Sequence, residues 1–380
     1  MVELPYGRIP YRLDLTGRNA TMVAPAPLGT PRPLPELLDT ALGAPIGRPA
    51  LSRMVAAGSR VTVIVSDATR TEPRSELLAA VRRHLPEVRW TIAIATGTHG
   101  PSAIHGLGLP DGNATIINHD GHRSADLVEL GVTRRGTPVR VHRCVVDADL
   151  VIATGCIRPH YFAGFGAGAK AIFPGLGEAG AIRANHTLKT EPRARAGIVD
   201  GNPCRDDLEE AVGFLPTPTF LINGVCGPDG DIHAAVAGDL RDAFRAGAEL
   251  ARTWFTVRSP RAPIVIASDA LPVTATLYQA AKIAAACADL VEPDGTLVLA
   301  AECPEGTGPR LIVNEAIFRI GVLPRLAPGV SIRLVSSLSP SIVACTLVDY
   351  APSIEAVLAE RAGRVVVIPR ASQLILEGYS

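Results

Sequence analysis

The stretch VTVIVSDATRTEPRSELLAAVRRHLPEVRWTIAIATGTH, residues 61–99, decides the fold class. It begins with an apolar run over 61–67, continues with apolar residues at helical spacing over 74–85, and returns to an apolar run over 90–99. Strand, helix and strand in this order form the unit of a fold with a buried parallel sheet. The sequence therefore predicts an α/β fold.

Polar or glycine-rich residues follow the predicted strands, two of which lie further along the chain at 114–120 and 148–157. In open α/β sheets, ligands bind beyond the carboxyl ends of the strands. We expect four strand ends to converge on one site, and these are Ser66-Asp67, Thr96 to His99, Asn118 to Asp120, and Thr154-Gly155.

A second α/β alternation begins after a predicted boundary near 256–262. It consists of strands at 263–269, 295–303, 331–337 and 365–370, with helices at 276–290 and 353–363. A chain of 380 residues is also long for a single core. We predict a larger N-terminal α/β domain, residues 1–258, and a smaller Rossmann-like C-terminal domain, residues 259–380, with the active site in the cleft between them.

Composition excludes several kinds of partner. Lys plus Arg and Asp plus Glu number 37 each, so net charge gives no reason to expect nucleic acid or an anionic membrane. No apolar run approaches the roughly 20 residues that span a bilayer, and the N-terminus does not resemble a secretory signal. The seven cysteines are scattered, without Cys-x-x-Cys. This pattern predicts a reduced, cytoplasmic protein without a thiolate zinc site.

The segment IRPHYFAGFGAGAKAIFPG, residues 157–175, places Lys170 in a glycine-rich run. Ala169 and Ala171 exclude the P-loop pattern, and the glycine spacing excludes a dinucleotide fingerprint. Glycines still let a backbone approach a phosphate or a flat ligand closely. Lysine is rare among the basic residues of this chain, but a tight loop with a solvent-exposed lysine explains the pattern equally well.

Three histidines lie at predicted strand ends or in glycine-rich loops: His99, His160 and His186. Histidine titrates near neutral pH, so it suits general acid–base catalysis or metal binding. The sequence leaves the roles of three other histidines ambiguous (His105, His119, His122). It predicts that the remaining three are structural or surface residues (His84, His142, His233).

Two further pairs could bind an anion. Asp67 and Arg70 lie at a strand-to-helix junction, where an arginine fork suits a carboxylate or phosphate but a simple helix cap is equally common. Gln279 and Lys282 lie on one face of an alanine-rich helix, where they need a ligand or an ion pair.

The chain resembles the nickel-dependent lactate racemase family. The shared patterns run in family order through both predicted domains. They are SDATR (66–70), GTH (97–99), NHD (118–120), RPHYFAGFGAGAKAIFPG (158–175), NH (185–186), GNPCRDDLEEA (201–211) and YQAAK (278–282).

The resemblance implies a cofactor, pyridinium-3-thioamide-5-thiocarboxylic acid mononucleotide carrying nickel, which we call the nickel-pincer nucleotide. Lys170 stands at the position that carries this cofactor through a thioamide bond, and His186 matches the histidine that ligates nickel. Gly166 and Gly168 would let the backbone lie against the flat cofactor and its phosphate. Asp67 would support the cofactor as well as the substrate site.

The resemblance also implies a substrate and a mechanism. His99 and His160 match the two general acid–base histidines on opposite faces of a 2-hydroxy acid, whose carboxylate Arg70 and Lys282 would hold with Gln279 in support. One histidine would remove the hydroxyl proton, and the C2 hydride would move to the pyridinium carbon bonded to nickel. The planar keto acid would then rotate and accept the hydride on its other face, and the opposite histidine would reprotonate the oxygen. The expected enzyme is an isomerase, a racemase or epimerase.

Departures from the family leave the substrate open. Gly100 stands where lactate-acting members should have a basic residue, and SDALPV (268–273) stands in place of a glycine-rich turn. Two alternatives concern the substrate, which is then a 2-hydroxy acid other than lactate or a sugar acid that is epimerised at C2. The third alternative is a non-catalytic protein that binds nickel or the nucleotide cofactor. A nicotinamide oxidoreductase is disfavoured, because no G-x-G-x-x-G follows the strand at 263–269. Cofactor biosynthesis proteins are expected partners; the oligomeric state is open.

Overall fold

The computed structural model describes residues 1–109, 112 and 114–379. Its strands, in chain order, are β1 Val2–Leu4, β2 Tyr11–Leu13, β3 Ala20–Met22, β4 Arg60–Ser66, β5 Arg89–Ala95, β6 Thr115–Asn118, β7 Leu127–Val132, β8 Pro138–His142, β9 Leu150–Ile157, β10 Pro159–His160, β11 Gly164–Phe165, β12 Thr219–Cys226, β13 Ile232–Gly238, β14 Thr256–Pro260, β15 Ala262–Ser268, β16 Val291–Ala300, β17 Ser331–Val335, β18 Asp349–Tyr350, β19 Val365–Ile368 and β20 Ile375–Tyr379.

The α-helices are α1 Leu34–Gly43, α2 Arg74–Arg83, α3 Ala179–Thr187, α4 Pro203–Gly213, α5 Asp242–Phe255, α6 Leu277–Cys287, α7 Pro340–Val343 and α8 Ile354–Glu360. Short 3-10 turns and a π-helical segment, Ile312–Val322, join some of them. Within the described ranges, no helix has the length and apolar character needed to cross a membrane.

The chain forms two compact units, Pro27–Trp254 and Met1–Ala26 with Phe255–Ser380. In the first unit a six-stranded sheet has the order β13-β12-β9-β4-β5-β6. All neighbours pair in parallel except β13, which runs antiparallel to β12. Strand β9 is buried along its whole length, which explains its continuous apolar sequence. The predicted α/β class and the predicted strands of this region are confirmed.

The second unit is built on a parallel sheet with the order β18-β17-β16-β15-β19-β3. Strand β3 joins it by pairing Ala20 with Val365. The division therefore differs from the predicted boundary in its first 26 residues, which belong with the C-terminal unit. The physical reason is that β3 is three residues long and finds its only hydrogen-bonding strand near the other end of the described chain, so no local pattern indicates it.

Candidate active site

Asp67 and His99 form a hydrogen-bonded pair just beyond the ends of the neighbouring strands β4 and β5. Asp67 Oδ2 lies 2.7 Å from His99 Nδ1, and Asp67 Oδ1 accepts from the amide and the hydroxyl of Thr69. Burial alone would raise the pKa of Asp67, but these hydrogen bonds outweigh it and lower the pKa to about 2. Because Asp67 is then an anion, His99 Nδ1 must carry the shared proton. A neutral His99, 47% exposed, keeps a lone pair on Nε2 and can act as a base.

This carboxylate should make folding sensitive to acid. The pKa of Asp67 is lower in the folded protein than its ordinary 3.8, so its charge stabilises the fold above about pH 4 and stops doing so as the pH falls through 2. Between pH 6 and pH 3, the wild type should lose about 1 kcal/mol more free energy of unfolding than an Asp67→Asn variant. Urea unfolding at both pH values measures this; an equal pH dependence in the two proteins contradicts the expectation.

Arg74 holds the loop that carries Asp67 and Arg70. Its guanidinium donates to the carbonyl of Ser66 at 2.8 Å, to that of Arg70 at 2.6 Å, and to that of Asp67. The exposed Arg70 side chain is thereby anchored through its backbone. Sequence reasoning missed Arg74, although a cation at the first position of α2, where the helix dipole disfavours it, was a usable signal.

His160 lies on the loop that follows β9, in the short antiparallel pair of β10 and β11. The Ala163 amide donates to His160 Nδ1 at 3.2 Å, so a neutral His160 carries its proton on Nε2. His99 and His160 are thus held in opposite tautomers: one presents an acceptor on Nε2, the other a donor.

Gly166 and Gly168 are both expected to face the cofactor. They differ in whether the packing of the surrounding protein requires a glycine at the position. Gly168 has a φ of +66°, and a Cβ there would lie 2.6 Å from the Phe244 ring. Gly166 has no such φ, and a Cβ there would meet nothing closer than 3.7 Å. Packing against α5 therefore requires glycine at 168 without any ligand, whereas protein packing does not require it at 166.

A Gly168→Ala variant should be strongly destabilised. The added methyl group meets an aromatic ring, and the backbone is left-handed, so we expect a loss of about 3 kcal/mol in the free energy of unfolding. The matched Gly166→Ala variant should stay within about 1 kcal/mol of the wild type. Guanidinium unfolding of the two variants compares them, and equal losses would show that the steric argument is wrong.

Lys170 lies in the 3-10 turn Gly168–Ala171. The residue is half-buried, and its Nζ lies 5.6 Å from the centroid of the Phe162 ring. Burial, and then the positive charges of Arg205 and Arg70, lower the pKa of Lys170 to about 7. This shift favours the neutral form of the side chain, which is the nucleophilic form of an amine.

His186 lies in the last turn of α3. Its Nδ1 is 2.6 Å from the carbonyl oxygen of Ile182, which can only accept, so Nδ1 must carry the proton. Burial, helped by the charge of Lys170, lowers the pKa of His186 to about 4. The ring is neutral near pH 7 with an unprotonated Nε2, the form in which histidine binds metals, and its orientation is fixed by the other nitrogen.

The ring of Phe162 brings these groups together. Its centroid lies 4.6 Å from that of His160 and 5.0 Å from that of His186, and 5.6 Å from Lys170 Nζ. Sequence reasoning quoted Phe162 within a motif but gave it no role. Aromatic residues are common in cores, so its sequence carried no signal that distinguishes it from a core residue.

Polar residues of α4 and β12 hold the loop in place. Asn202, the N-cap of α4, donates to the carbonyl of Phe162 at 2.9 Å, and Asn223 Oδ1 accepts from the amide of Gly168 at 3.1 Å. The buried carboxylate of Asp207 accepts from Asn185, the neighbour of His186, at 2.8 Å. The GNPCRDDLEEA motif therefore supports both the lysine loop and the histidine helix, a role that the sequence did not reveal.

The remaining predicted residues lie elsewhere. Gln279 and Lys282 are on α6, in the other compact unit, where Lys282 Nζ donates to Gln279 Oε1 at 2.6 Å. Four of the other histidines have partners: His84 pairs with Asp39, His119 with the carbonyl of Gly177, and His233 with Asp229, while His142 accepts from the amide of Cys144. Within the part of the chain that the structure describes, no group of three or more His, Cys, Asp or Glu side chains could hold a metal ion.

A family model described as the lactate racemase N-terminal domain matches residues 6–197. The chain belongs to the lactate racemase family. The match confirms the resemblance found in the sequence. It includes eight of the predicted site residues, and these are Asp67, Arg70, His99, His160, Gly166, Gly168, Lys170 and His186. Gln279 and Lys282 lie beyond its end.

Two lactate racemases are similar to this family member. The protein of Thermoanaerobacterium thermosaccharolyticum is 29% identical over 322 residues, which cover 81% of this chain and 75% of that protein. The protein of Lactiplantibacillus plantarum is 29% identical over 285 residues, which cover 72% of this chain and 67% of that protein.

A solved structure of a lactate racemase agrees with this membership of the lactate racemase family. The lactate racemase apoprotein from Thermoanaerobacterium thermosaccharolyticum matches with a TM-score of 0.85 and 25% identity over 99% of both chains. A structural-genomics protein from Thermotoga maritima matches with a TM-score of 0.66 and 15% identity, covering 91% of this chain and 98% of that one. The second likeness shows a shared fold alone.

Proposed function

We propose that this member of the lactate racemase family inverts the C2 centre of a 2-hydroxy acid with the help of a nickel-pincer nucleotide attached to Lys170. One observation carries the proposal. At a single aromatic ring, Phe162, a lysine whose pKa is lowered to about 7 lies beside a histidine with an unprotonated Nε2. Attachment of the cofactor requires a nucleophilic amine, and binding of its metal requires a nitrogen ligand from the protein.

The residues present fit this cofactor. Lys170 would hold it covalently, and His186 would contribute a metal ligand whose ring cannot rotate without losing its hydrogen bond to Ile182. The carboxylate of Asp67 and the backbone at Gly166 would support it. When bound, the group would supply reversible acceptance of a hydride from C2.

The protein's own part is to bind the acid and to handle its hydroxyl proton. Arg70 offers a guanidinium fork for the substrate carboxylate, and we propose that Lys282 and Gln279 take part in the same binding. His99 Nε2 accepts the hydroxyl proton, and the anionic Asp67 stabilises the imidazolium that results.

Inversion moves the hydroxyl to the other side of the substrate, so a second acid–base group is needed, and we propose His160. Proton balance requires one of the two histidines to be charged at the start of each turnover and the other at the end. A charged His160 has protons on both ring nitrogens, and it must therefore give up the hydrogen bond that its Nδ1 accepts from Ala163. His160 thus breaks and re-forms its hydrogen bond with the Ala163 amide as its charge changes, whereas His99 keeps its hydrogen bond to Asp67 throughout.

Room beside His99 supports a substrate other than lactate. Gly100 has a φ of +76°, and a Cβ there would meet none of the described residues within 4 Å. The space left by this glycine suits a C2 substituent larger than a methyl group. The substrate class that we propose is a 2-hydroxy acid with such a side chain.

Loading and chiral analysis test this function. The protein is produced with the enzymes that make the nickel-pincer nucleotide and with nickel, and is then incubated with enantiopure 2-hydroxy acids of increasing side-chain size. Chiral chromatography should show both enantiomers formed from at least one acid, with the larger side chains preferred. A fully loaded protein that inverts none of them would show that the proposed function is wrong.

A further inference from the structure

The NHD motif at residues 118–120 has no role in the proposed function. His119, its central residue, has an exposure of 0%. Its Nε2 lies 2.9 Å from the carbonyl oxygen of Gly177, which can only accept, so Nε2 carries the proton. Its Nδ1 is buried and has no hydrogen-bond partner among the described residues. Within that part of the chain, the His119 side chain therefore makes a single hydrogen bond, and the bond ends on the backbone.

Gly177 belongs to a short connector, residues 172–178, between the two groups that would hold the cofactor. The connector begins after the 3-10 turn that carries Lys170. It ends where α3, the helix of His186, begins. The position of the connector therefore sets the spacing between the lysine and the histidine.

Three consecutive carbonyls of the connector accept hydrogen bonds from three different segments of the same unit. Two of the donors are backbone amides, whereas the third is a side chain. The three pairs, each 2.9 Å apart, are Gly175 with the Gly97 amide, Leu176 with the His142 amide, and Gly177 with His119 Nε2. Because only the last donor is a side chain, its bond is the one of the three that a change of residue type or of protonation state can remove.

The turn that follows the NHD motif packs closely against the connector. A Cβ at Gly121 would lie 2.9 Å from the carbonyl oxygen of Gly177 and 3.1 Å from the amide nitrogen of Ala179. The Gly121 carbonyl accepts from that amide at 2.9 Å. A larger residue at position 121 would push the connector and the start of α3 away. The turn and the connector thus fit as closely as their backbones allow.

We propose that His119 is a positioning residue whose Nε2 proton holds the connector against the NHD motif and so fixes the spacing between Lys170 and His186. The use of this spacing rests on the proposed function, because the cofactor would be bound at both residues, but the hydrogen bond belongs to the protein alone. Only the neutral imidazole suits this role. A second proton, on Nδ1, would bury a charge and an N–H group without an acceptor.

The charged groups around this imidazole determine how acid acts on it. Burial lowers the pKa of His119 below its ordinary 6.5, while its hydrogen bond and the carboxylates of Asp120 and Asp126 act in the opposite direction. The centroid of the His142 ring on β8 lies 5.8 Å away, and burial lowers the pKa of His142 as well. The cations near His142 are Arg143 and Arg123. A released His119 binds a proton more readily than the buried one, so a falling pH favours release of the connector.

Hydrogen–deuterium exchange over residues 172–187 tests the proposal on the full chain, made without the cofactor. Protection is compared at pH 7 and pH 4.5, after correction for the intrinsic exchange rate at each pH. In the wild type, the amides of the connector should be protected at pH 7 and should lose about ten-fold in protection at pH 4.5, because the open form binds the proton more tightly. The Asp67 carboxylate, with a pKa of about 2, stays ionised at both pH values.

Two variants separate the donor from the rest of the ring. His119→Gln keeps a donor near the position of Nε2 but cannot take up a proton, so it should be protected at pH 7 and should not respond to acid. His119→Leu keeps most of the volume without a donor, so its protection should fall about ten-fold at both pH values. The matched control is His122→Gln, which removes an exposed histidine next to the same turn and should behave as the wild type.

The proposal is overturned by a wild type that does not respond to acid, by an acid response retained in His119→Gln, or by one lost in His122→Gln. Equal losses at pH 7 in His119→Gln and His119→Leu would overturn it too. The wild-type comparison needs no variant, so the test holds even where His119→Leu does not fold. The expected exchange in a protein that inverts no acid keeps His119 and removes the proposed function, while an acid-insensitive connector in an active racemase does the reverse.

Discussion

A Lys170→Arg variant, produced with the cofactor-synthesis enzymes and nickel, is expected to carry no cofactor adduct and to racemise nothing above the uncatalysed rate. Arginine keeps the positive charge and much of the length of lysine, but a guanidinium stays protonated and is a poor nucleophile at neutral pH. The effect is therefore expected to be complete, because the variant would lack the group that performs the hydride chemistry.

Intact-protein mass spectrometry with peptide mapping measures the adduct, and elemental analysis measures nickel. The control is His186→Gln, which removes the proposed metal ligand but leaves the amine. It should keep the organic adduct and lose nickel. An adduct of unchanged mass in Lys170→Arg would place the attachment elsewhere and remove Lys170 from the site.

A His99→Gln variant is expected to lose about 10³-fold in kcat, within the range that general acid–base catalysis supplies, while it keeps both the adduct and nickel. Glutamine can hydrogen-bond to Asp67 in place of the imidazole, so the loop should stay in position. What is lost is the lone pair on Nε2 that accepts the hydroxyl proton. The turnover of loaded protein, normalised to its nickel content, gives the ratio.

A matched His84→Gln variant controls for the loss of a histidine as such, because His84 pairs with Asp39 on the surface of the same unit. It should racemise at the wild-type rate. A His99→Gln variant with near-normal turnover would mean that another group takes the hydroxyl proton.

The strands and helices of the parallel sheets could be predicted from the sequence because burial on both faces leaves an uninterrupted apolar run. Strand β9, over Leu150–Ile157, is such a case. Strand β3 is the opposite case. Its three residues, two of them exposed, carry no periodic pattern, and their pairing with β19 depends on a contact between distant parts of the chain. No local pattern therefore indicated that the first 26 residues cluster with the C-terminal strands.

For the candidate site, the sequence indicated the residue types but not their protonation states. The GTH and NH motifs pointed to His99 and His186, yet only the three-dimensional partners, the carboxylate of Asp67 and the carbonyl of Ile182, determine which nitrogen carries the proton. Arg74 was missed for a related reason. Its partners are backbone carbonyls, which every residue has, so no pairing of side-chain types in the sequence could reveal them.

The pairing of β3 with β19 sets an order of events during synthesis. Domains generally fold as units, N-terminal parts first, while the ribosome is still adding residues. Residues 27–254 form a unit of their own and could therefore be folded before the rest has been made. Strand β3 has no such option, since β19, the strand with which it pairs, is made after residues 27–254. Until β19 has emerged from the ribosome, β3 lacks its partner strand and is available to chaperones and proteases, and the sheet of the second unit cannot be completed.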